Sequence, residues 1–262
     1  MTNPKSPAVV VALANQKGGV GKSTTAINLT ASMALQGLRC LLVDLDPQGN
    51  ATSGLGIDRG SISTSIYDVL LKETPIEDAI EASSVKNLFI VPATIDLAGA
   101  EIELVPAFAR EGRLKGALAE VVNDYDVIFI DCPPSLGLLT VNALTAATEV
   151  LIPIQCEYYA LEGLSQLLSN VERIKRNLNP ALAIEGVVLT MYDARTNLSR
   201  DVATQVRNHF GDRTYRTVIP RSVRISEAPS YGEPIEAFDP MTRGAIAYRE
   251  LGREFRRRHG LD

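Results

Sequence analysis

The chain has 262 residues, of which 45% are apolar, and its 26 basic and 31 acidic side chains give a net charge of −5 at pH 7. Its longest apolar runs, residues 8–14 and 127–130, are too short to span a bilayer, and residues 1–7 lack the apolar core of a signal peptide. The three cysteines are not clustered and neither histidine has a ligand-spaced partner, so we expect a cytoplasmic protein with reduced, buried thiols and no structural zinc.

Short apolar runs alternate with amphipathic segments along the chain, which is typical of a parallel sheet wrapped by helices. The predicted strands cover residues 9–14, 40–44, 88–92, 127–131, 150–154, 185–190 and, as the shortest, 216–218. Because these runs are apolar throughout rather than alternating, they indicate strands that are covered on both faces. We therefore expect an α/β fold with a doubly wound, mostly parallel sheet flanked by helices.

Amphipathic segments between and after these strands predict helices. They cover residues 22–36, 65–71, 76–82, 114–122, 141–147, 161–177, 200–210 and 245–257. Gly37 fits a helix stop, and Asn179-Pro180 closes the helix predicted at 161–177. No stretch has the composition of a linker, so we expect a single domain over residues 1–262. Few residues precede the first strand, and we expect no N-terminal helix-turn-helix domain.

A glycine-rich run follows the first predicted strand and opens the first predicted helix. Its residues are Lys17, Gly18, Gly19, Val20, Gly21, Lys22, Ser23 and Thr24. A strand, such a turn and a helix start together build a nest of backbone N–H groups that binds nucleotide phosphates. Lys22 would reach the β and γ phosphates and Ser23 would ligate Mg²⁺, so we expect ATP and Mg²⁺ as ligands. A plain glycine-rich turn is the alternative.

Polar residues stand at the ends of other predicted strands. Asp44 and Asp46 come at the end of strand 40–44, Asp131 ends strand 127–131, and Thr190 ends strand 185–190. Ligands of such sheets bind at the carboxyl ends of strands, so these residues and the loop should share one site. We expect Ser23 and Asp131 to be the metal pair, with Asp131 acting through a water because Mg²⁺ keeps several of its own. A strand-end aspartate that only caps a turn is the alternative.

Six blocks of sequence carry a resemblance to a known family. They read KGGVGKS at 17–23, DLDPQGN at 44–50, DCPPS at 131–135, EYYALEG at 157–163, TMYDART at 190–196 and IPRSVR at 219–224. With its additional lysine in the phosphate loop, the chain resembles the ParA and Soj chromosome-partitioning ATPases over nearly its whole length. The resemblance implies a P-loop NTPase fold of the ParA and MinD superfamily. It also implies a weak, partner-stimulated hydrolysis of ATP to ADP and phosphate.

The same resemblance implies roles for individual residues. Asp46 would polarise the attacking water, with an Asp-Pro turn as the alternative. Lys17 would reach across a dimer interface to the phosphates of the other subunit's nucleotide, with an exposed loop lysine as the alternative. Asp44 would support the metal or fix its loop. The predicted contacts to the base are Met191, Tyr192, Pro220, Arg221 and Ser222, with ordinary packing as the alternative for both segments.

Positive charge is concentrated late in the chain. Residues 1–194 carry 13 basic and 22 acidic side chains, whereas residues 195–262 carry 13 arginines and 9 acidic side chains. By resemblance and by helical spacing, the predicted DNA contacts are Arg195, Arg200, Arg207, Arg224, Arg249, Arg253 and Arg256. Contacts to phosphates alone would bind double-stranded DNA without sequence preference and with a steep dependence on salt. From charge alone, a solvated and ion-paired surface is the alternative.

Together with the resemblance, these residues predict an ATPase that forms a homodimer when ATP is bound. It would bind DNA on the nucleoid and drive chromosome or plasmid segregation with a ParB-type partner. A MinD-like membrane ATPase is the main alternative, but after Phe255 only Leu261 is apolar, so we expect no membrane partner. A dethiobiotin-synthetase-like ligase would need a small-molecule acceptor pocket, and nitrogenase-iron-protein-like electron transfer would need another cysteine suitably placed beside Cys132.

Overall fold

The computed structural model describes residues 7–158, 160 and 164–261. Its strands are β1 (Val9–Leu13), β2 (Cys40–Asp44), β3 (Glu81–Ala82), β4 (Leu88–Val91), β5 (Val127–Asp131), β6 (Glu149–Gln155), β7 (Ala183–Tyr192) and β8 (Thr214–Pro220). Its helices are α1 (Lys22–Leu35), α2 (Asn50–Gly54), α3 (Ile66–Leu71), α4 (Leu97–Glu103), α5 (Arg113–Val121), α6 (Leu138–Ala146), α7 (Leu164–Asn177), α8 (Asn197–Phe210), α9 (Val223–Glu227), α10 (Ile235–Phe238) and α11 (Arg243–His259). Among the described residues, none of the helices combines the length and the apolar character that crossing a membrane requires.

The strands form one sheet in the order β3-β4-β2-β5-β1-β6-β7-β8. Neighbouring strands are parallel except for β3 and β4, which are antiparallel. The predicted strands are confirmed with ends that shift by about two residues at most, because an apolar run buried on both faces fits few other places in a globular fold. The prediction of a doubly wound, mostly parallel α/β fold is thereby confirmed.

The helix predicted at residues 76–82 is wrong in its second half. Ile76–Ala79 form a 3₁₀ turn, and Glu81–Ala82 then pair with β4 as the edge strand β3. Ile76 and Ala79 are both buried, so their apolar spacing is used by the fold. Pairing with the sheet edge outweighs the helical preference of so short a segment, since nucleating a helix is costly.

The other predicted helices are confirmed, with ends that differ by a few residues. The helix predicted at residues 161–177 is seen from Leu164 to Asn177, and residues 161–163, like Tyr159 of the block at 157–163, lie outside the described residues. The short helices α2, α4, α9 and α10 have no counterpart in the prediction. Each spans four to seven residues, too few for a helical period to show in the sequence.

Helices cover both faces of the sheet, and each face has its own apolar core. On one face, Phe129 of β5 packs against Phe255 of α11 with ring centroids 5.4 Å apart, among buried residues of α1. On the other face, Ile128 and Ile130 belong to a core that includes residues of α5, α6, α7 and α8. The sheet is therefore the middle layer of three, and the carboxyl ends of its strands remain as the edge at which a ligand can meet several strands at once.

Helices α1 and α11 lie against each other on the first of these faces. Gly252 of α11 is buried there, and a Cβ atom at this position would come within 2.9 Å of the Ser32 hydroxyl and 3.0 Å of the Gln36 amide nitrogen. The absence of a side chain thus allows the close approach. Arg256 continues the contact by donating to the carbonyl of Gln36 at 3.1 Å.

The cysteines Cys40, Cys132 and Cys156 are all buried. Burial raises the pKa of the Cys156 thiol to about 11 and raises the pKa of Cys132 still further. Both thiols are therefore protonated near neutral pH and unreactive, as the sequence predicted for buried thiols.

Candidate functional site

The glycine-rich loop joins the end of β1 to the start of α1. Gly19 and Gly21 have φ angles of 73° and 86°, in the left-handed region that favours glycine. A Cβ atom at Gly19 would meet nothing within 4 Å, so the space above this part of the loop is open. The first turn of α1 therefore begins beneath an open nest of backbone N–H groups, as phosphate binding requires.

Hydrogen bonds from neighbouring strands hold the loop in place. The Asn15 amide donates to the carbonyl of Pro153 in β6 at 2.8 Å and accepts from the backbone N–H of Lys17 at 3.0 Å. The Thr190 hydroxyl, near the end of β7, donates to the carbonyl of Val20 at 2.8 Å. Because both strands end at the same edge, the loop is fixed to the sheet before any ligand arrives.

Lys22 is a buried cation, with 6% of its surface exposed. Its ammonium donates to the carbonyl of Lys17 at 3.3 Å. Burial lowers the pKa of Lys22, and the charges of Asp131 and Asp46 partly oppose that effect. The nearby carboxylates thus offset only part of the cost of burying the Lys22 ammonium. A bound phosphate group would add negative charge beside it and favour its protonated form.

Asp131 ends β5 and is fully buried. Neither of its carboxylate oxygens has a hydrogen-bond partner among the described residues. Burial raises the pKa of Asp131 well above its ordinary range, Asp44 raises it further, and the nearby Ser23 side chain opposes the rise. Two buried acceptors without donors are costly unless a cation or water completes the site.

The surroundings of Asp131 fit Mg²⁺. Within the described ranges, no group of three or more His, Cys, Asp or Glu side chains is arranged to hold a metal ion. Mg²⁺ does not need such a cage, because it is commonly bound by one or two carboxylates together with waters and substrate phosphates. Ser23 at the start of α1 and the unsatisfied carboxylate of Asp131 provide that minimal set.

Asp44 ends β2 and lies beside Asp131 in the register of the sheet. Its carboxylate accepts hydrogen bonds from the Thr52 backbone N–H at 2.8 Å, the Thr52 hydroxyl at 2.7 Å and the Asp46 backbone N–H at 3.2 Å. Burial raises the pKa of Asp44 to about 6, although these hydrogen bonds lower it. Since both oxygens accept from the protein, the geometry favours the loop-fixing role of Asp44 over contact with a metal.

Asp46 lies two residues further on and is 6% exposed. One of its carboxylate oxygens accepts from the backbone N–H of Gln48 at 3.0 Å. Asp46 also lines the cavity above the phosphate loop, and its charge raises the pKa of Lys22. Asp46 is therefore placed at the position that a group orienting a water near the phosphates would need.

Two cavities meet at the phosphate loop and share Gly21, Thr24 and Met191. The first has a volume of about 460 Å³, and its other lining residues are Gly18, Gly19, Lys22, Ser23, Ile27, Asp46, Gln48, Asn50, Ser53, Pro134 and Pro229. The second has a volume of about 290 Å³, and its other lining residues are Thr190, Ile219, Pro220, Arg221, Ser222, Ile225, Ser226 and Tyr248. One cavity lies over the loop and the other has mixed apolar and polar walls, which together suit the phosphates and the base of one nucleotide.

Four of the residues predicted to contact the base, Met191, Pro220, Arg221 and Ser222, line the second cavity. Tyr192 does not line it, and instead its carbonyl accepts from the backbone N–H of Arg221 at 3.1 Å. Met191 has a φ angle of 52°, which is unusual for a residue with a side chain and marks a local backbone constraint where the two cavities join.

Sequence reasoning missed several lining residues. Tyr248 belongs to the apolar stripe of α11, yet its hydroxyl lies 3.4 Å from that of Thr25 and its ring forms part of the cavity wall. Ile225 and Pro229 come from short elements that carry no periodic signal. Of the lining residues that were missed, Asn50 could most readily have been found from the sequence, because it is the last residue of the DLDPQGN block.

Lys17 is half-buried at the start of the loop. Its backbone takes part in the hydrogen bonds with Asn15 and Lys22, whereas its ammonium has no hydrogen-bond or ion-pair partner among the described residues. The charge of this lysine is therefore not used within the described part of its own protomer.

The arginines predicted to contact DNA differ in how firmly the protein holds them. Arg195 is 88% exposed and pairs with Asp193 at 2.7 Å, which lowers the pKa of Asp193 to about 2. Arg200 donates to the side chain of Asn197, and Arg207 has no side-chain partner among the described residues. All three residues are exposed.

The remaining four arginines all have partners within the protein. Arg224 donates to Glu227 and to Asp239 and lies over the ring of Phe238, while Arg249 pairs with Glu236 and Arg253 with Glu250. Arg256 donates to the carbonyls of Leu261 and Gln36 and joins α11 to α1. Arg256 therefore has a structural use that its sequence position did not reveal.

Comparison with known proteins extends these observations to the whole chain. Residues 8–184 match a family model described as an AAA domain. The chain is 59% identical to the sporulation initiation inhibitor protein Soj of Bacillus subtilis (strain 168), over 94% of this chain and 97% of that protein. It is 53% identical to the chromosome partitioning protein ParA of Myxococcus xanthus (strain DK1622), over 95% of this chain and 88% of that protein.

A solved structure shows a similar fold. The crystal structure of cobyrinic acid a,c-diamide synthase from Mycobacterium smegmatis, with a bound ATP analog and magnesium, superimposes with a TM-score of 0.85 and 40% identity, covering 97% of each chain. The similarity therefore includes the sheet, both helical layers and the loop at the strand ends.

Proposed function

The chain belongs to the family of ParA and Soj chromosome-partitioning ATPases, and on that premise we propose that it binds ATP with Mg²⁺ and hydrolyses it in order to partition DNA. The observation that carries the proposal is the carboxylate of Asp131, which is buried at the phosphate loop with both oxygens unsatisfied among the described residues. The structural relative from Mycobacterium smegmatis, with its ATP analog and magnesium, supports the same ligands.

The residues of the loop would divide the work of phosphoryl transfer to water. Backbone N–H groups from Gly18 to Lys22 and the Lys22 ammonium would hold the phosphates. Ser23 would hold Mg²⁺ directly and Asp131 would do so through a water, and the ion would neutralise charge on the phosphate oxygens. Asp46 would orient the attacking water, while Asp44 keeps its loop in position through Thr52.

Lys17 would complete the site of a second protomer. Its ammonium is unpaired within the described part of its own chain, although it lies beside the phosphate loop. We therefore assign it to the phosphates of the partner's nucleotide in an ATP-bound homodimer, in the manner of an arginine finger supplied in trans. ADP lacks the γ phosphate, so the dimer would separate after hydrolysis.

The ATP-bound dimer would bind double-stranded DNA without sequence preference. Arg200 and Arg207 have no carboxylate partner among the described residues, whereas Arg195, Arg224, Arg249 and Arg253 would have to exchange carboxylate partners for phosphates. Such an exchange costs little at an exposed pair such as Arg253 with Glu250, because surface ion pairs contribute roughly 0–1 kcal/mol. It costs more for Arg249, whose partner Glu236 is largely buried. Two copies of the surface in a dimer would bind much more tightly than one.

The remaining parts of the proposal come from the family. A ParB-type partner would stimulate hydrolysis, and the protein would act in the cytoplasm on the nucleoid. The two relatives named for sporulation control and chromosome partitioning are 59% and 53% identical, whereas the relative named as a synthase is 40% identical. The closer likeness therefore favours partitioning over a small-molecule synthase.

Retention of a random-sequence DNA duplex tests the proposal. The full chain is compared with ADP and with a slowly hydrolysed ATP analogue across a series of salt concentrations, and its mass is followed by sedimentation. We expect a dimer and salt-sensitive retention only with the ATP analogue. Lys17→Ala should abolish the dimer and weaken retention about 100-fold, because one copy of the surface binds alone.

Lys86→Ala is the matched control, since Lys86 is an exposed lysine away from the loop. This variant should behave like the unchanged chain. A Lys17→Ala chain that still forms the dimer would refute the role of Lys17, and equal retention with ADP and with the ATP analogue would refute the coupling of nucleotide to DNA.

A further inference from the structure

A second large cleft lies far from the phosphate loop. It has a volume of about 720 Å³ and is formed by the last turns of α8 and α11 together with the first residues of β8. Thr214 at the start of β8 lines this cleft, whereas Pro220 at the end of β8 lines the second of the two cavities at the phosphate loop. A seven-residue strand separates its two ends by about 20 Å, so the cleft is distinct from the nucleotide site.

The walls of the cleft carry an excess of positive charge. Four arginines line it against two carboxylates. The side chains of Arg207, Arg216 and Arg257 have no hydrogen-bond or ion-pair partner within the described ranges, and all three residues are exposed. In a chain with a net charge of −5, such a concentration of unpaired guanidinium groups is a local attraction for anions.

The fourth arginine and one of the carboxylates are already committed to the fold. Arg258 lies 3.8 Å from the centre of the Tyr215 ring and pairs with Glu254 at 3.2 Å. Glu254 also accepts from the backbone N–H groups of Arg216 and Thr217 and from the Thr217 hydroxyl. This carboxylate is thus satisfied by the protein and is not available to neutralise the three unpaired arginines.

The hydroxyl of Thr214, in the wall of the cleft, is a second and independent indication that the cleft binds a ligand. It is 6% exposed, and its hydroxyl has no hydrogen-bond partner among the described residues. A buried hydroxyl that makes no hydrogen bond costs free energy, and an acceptor bound in the cleft would remove that cost.

We propose that this cleft binds a compact anion that carries two or more phosphate groups. Its volume is that of a small-molecule site, and its three free guanidinium groups converge on one concave surface, which suits the fork geometry of phosphate recognition. Thr214 is buried in the wall of this concave cleft, a shape that suits a compact anion better than a DNA duplex. Arg207 is also a proposed DNA contact, so the small anion and DNA would compete for this one residue.

Calorimetric titration with inorganic tripolyphosphate tests the proposal. The full chain is first loaded with one equivalent of ADP in the presence of Mg²⁺, so that the phosphate loop is occupied while little free ADP remains to compete for the cleft. We expect saturable binding with one site per chain. Arg216→Ala and Arg257→Ala should each weaken it about tenfold, because each removes a charge-assisted hydrogen bond.

Two further variants complete the test. Arg243→Ala removes an exposed arginine at the other end of α11 and should leave the affinity unchanged. Thr214→Val should weaken binding and, because it removes a buried hydroxyl without a partner, should raise the melting temperature of the ligand-free chain. Absence of binding, or binding that Arg216→Ala and Arg257→Ala leave intact, would overturn the proposal. Duplex DNA that competes fully for the site would overturn the assignment to a compact anion.

Discussion

Two aspartates separated by one residue make different contacts in this site. Both carboxylate oxygens of Asp44 accept hydrogen bonds, and the donors are the Thr52 backbone N–H, the Thr52 hydroxyl and the Asp46 backbone N–H. The Thr52 hydroxyl in turn accepts from the backbone N–H of Ala93 after β4. Through Thr52, Asp44 thus connects the segment after β2 to the segment after β4, and Asp46 lines the cavity above the phosphate loop.

The proposed role of Asp46 in orienting the attacking water leads to a prediction for Asp46→Ala. Removal of a group that orients the attacking water should slow ATP hydrolysis by about 10²- to 10⁴-fold, the range typical of such assistance. Nucleotide affinity should change little, because Lys22, Ser23 and Asp131 remain. Phosphate release and binding of a fluorescent ATP analogue measure the two effects separately.

Asp58→Ala is the control for this variant, since Asp58 is an exposed loop aspartate. It should hydrolyse ATP at the normal rate. If Asp46→Ala also turned over ATP normally, another group would have to orient the water.

At the residue scale, the sequence predicted that the loop and the three aspartates lie at the ends of strands, because the apolar run of each strand is unmistakable. It left the role of Asp44 open, because its partner Thr52 lies eight residues away in a helix too short to predict. It could not show that Arg256 holds α1, because the acceptor carbonyl of Gln36 is 220 positions distant in the chain.

At the scale of elements, Glu254 attaches the edge strand β8 to α11. Its carboxylate accepts from the N–H groups of Arg216 and Thr217 at 2.9 and 3.0 Å and from the Thr217 hydroxyl at 2.9 Å. Burial alone would raise the pKa of Glu254, but these hydrogen bonds hold it below its ordinary value. A single side chain therefore satisfies two backbone donors of an edge strand.

We predict that Glu254→Ala destabilises the fold by about 2–4 kcal/mol, because it leaves partly buried backbone donors without their charged acceptor. Glu254→Gln should cost less, since an amide oxygen still accepts one of these bonds. Denaturant-induced unfolding of the full chain provides the measurement.

Glu250→Ala, one turn earlier on α11, is the matched control. Glu250 is half-exposed and, among the residues that the structure describes, pairs only with Arg253, so its loss should change stability by about 0.5 kcal/mol or less. Equal losses for Glu254→Ala and Glu250→Ala would show that the attachment of β8 does not depend on Glu254.

Strands were easier to predict than helices for a physical reason. A strand buried on both faces reads as a continuous apolar run, as in residues 127–131, whatever lies around it. Short helices such as α9 and α10 depend on tertiary contacts, and the segment at Ile76–Ala82 changes from 3₁₀ turn to strand only because β4 is available to pair with it.

At the scale of the whole molecule, His259 joins the end of α11 to the start of β6. Its ring donates from Nε2 to the carboxylate of Glu149 at 2.7 Å and from Nδ1 to the carbonyl of Phe255 at 2.8 Å, which the protonated ring can do at the same time. Burial lowers the pKa of His259, but the hydrogen bonds to Glu149 and Phe255 outweigh it, and Glu185 of β7 adds to them, so the pKa lies above the ordinary 6.5.

A raised histidine pKa predicts that stability falls as pH rises. The contribution of protonated His259 is fully present below pH 6.5 and is lost as the pH passes the raised value. We expect this part of the unfolding free energy to disappear in His259→Gln, whose stability should vary less between pH 6 and pH 8. Chemical unfolding at several pH values measures the slope.

His209→Gln is the comparison for this experiment, since His209 is exposed and contacts the ring of Phe210. Its stability should vary with pH as in the unchanged chain. A His259→Gln chain that keeps the full pH dependence would show that other groups cause it.

Concealment of every native thiol has a practical consequence. Cys40, Cys132 and Cys156 are all buried in the fold, so a maleimide dye should react slowly with the folded chain. One cysteine introduced at the exposed Ser84 would then carry a fluorophore at a single chosen position, with no need to replace native residues first. Mixtures of donor- and acceptor-labelled chains could report pairing and separation of protomers in real time as nucleotide is consumed.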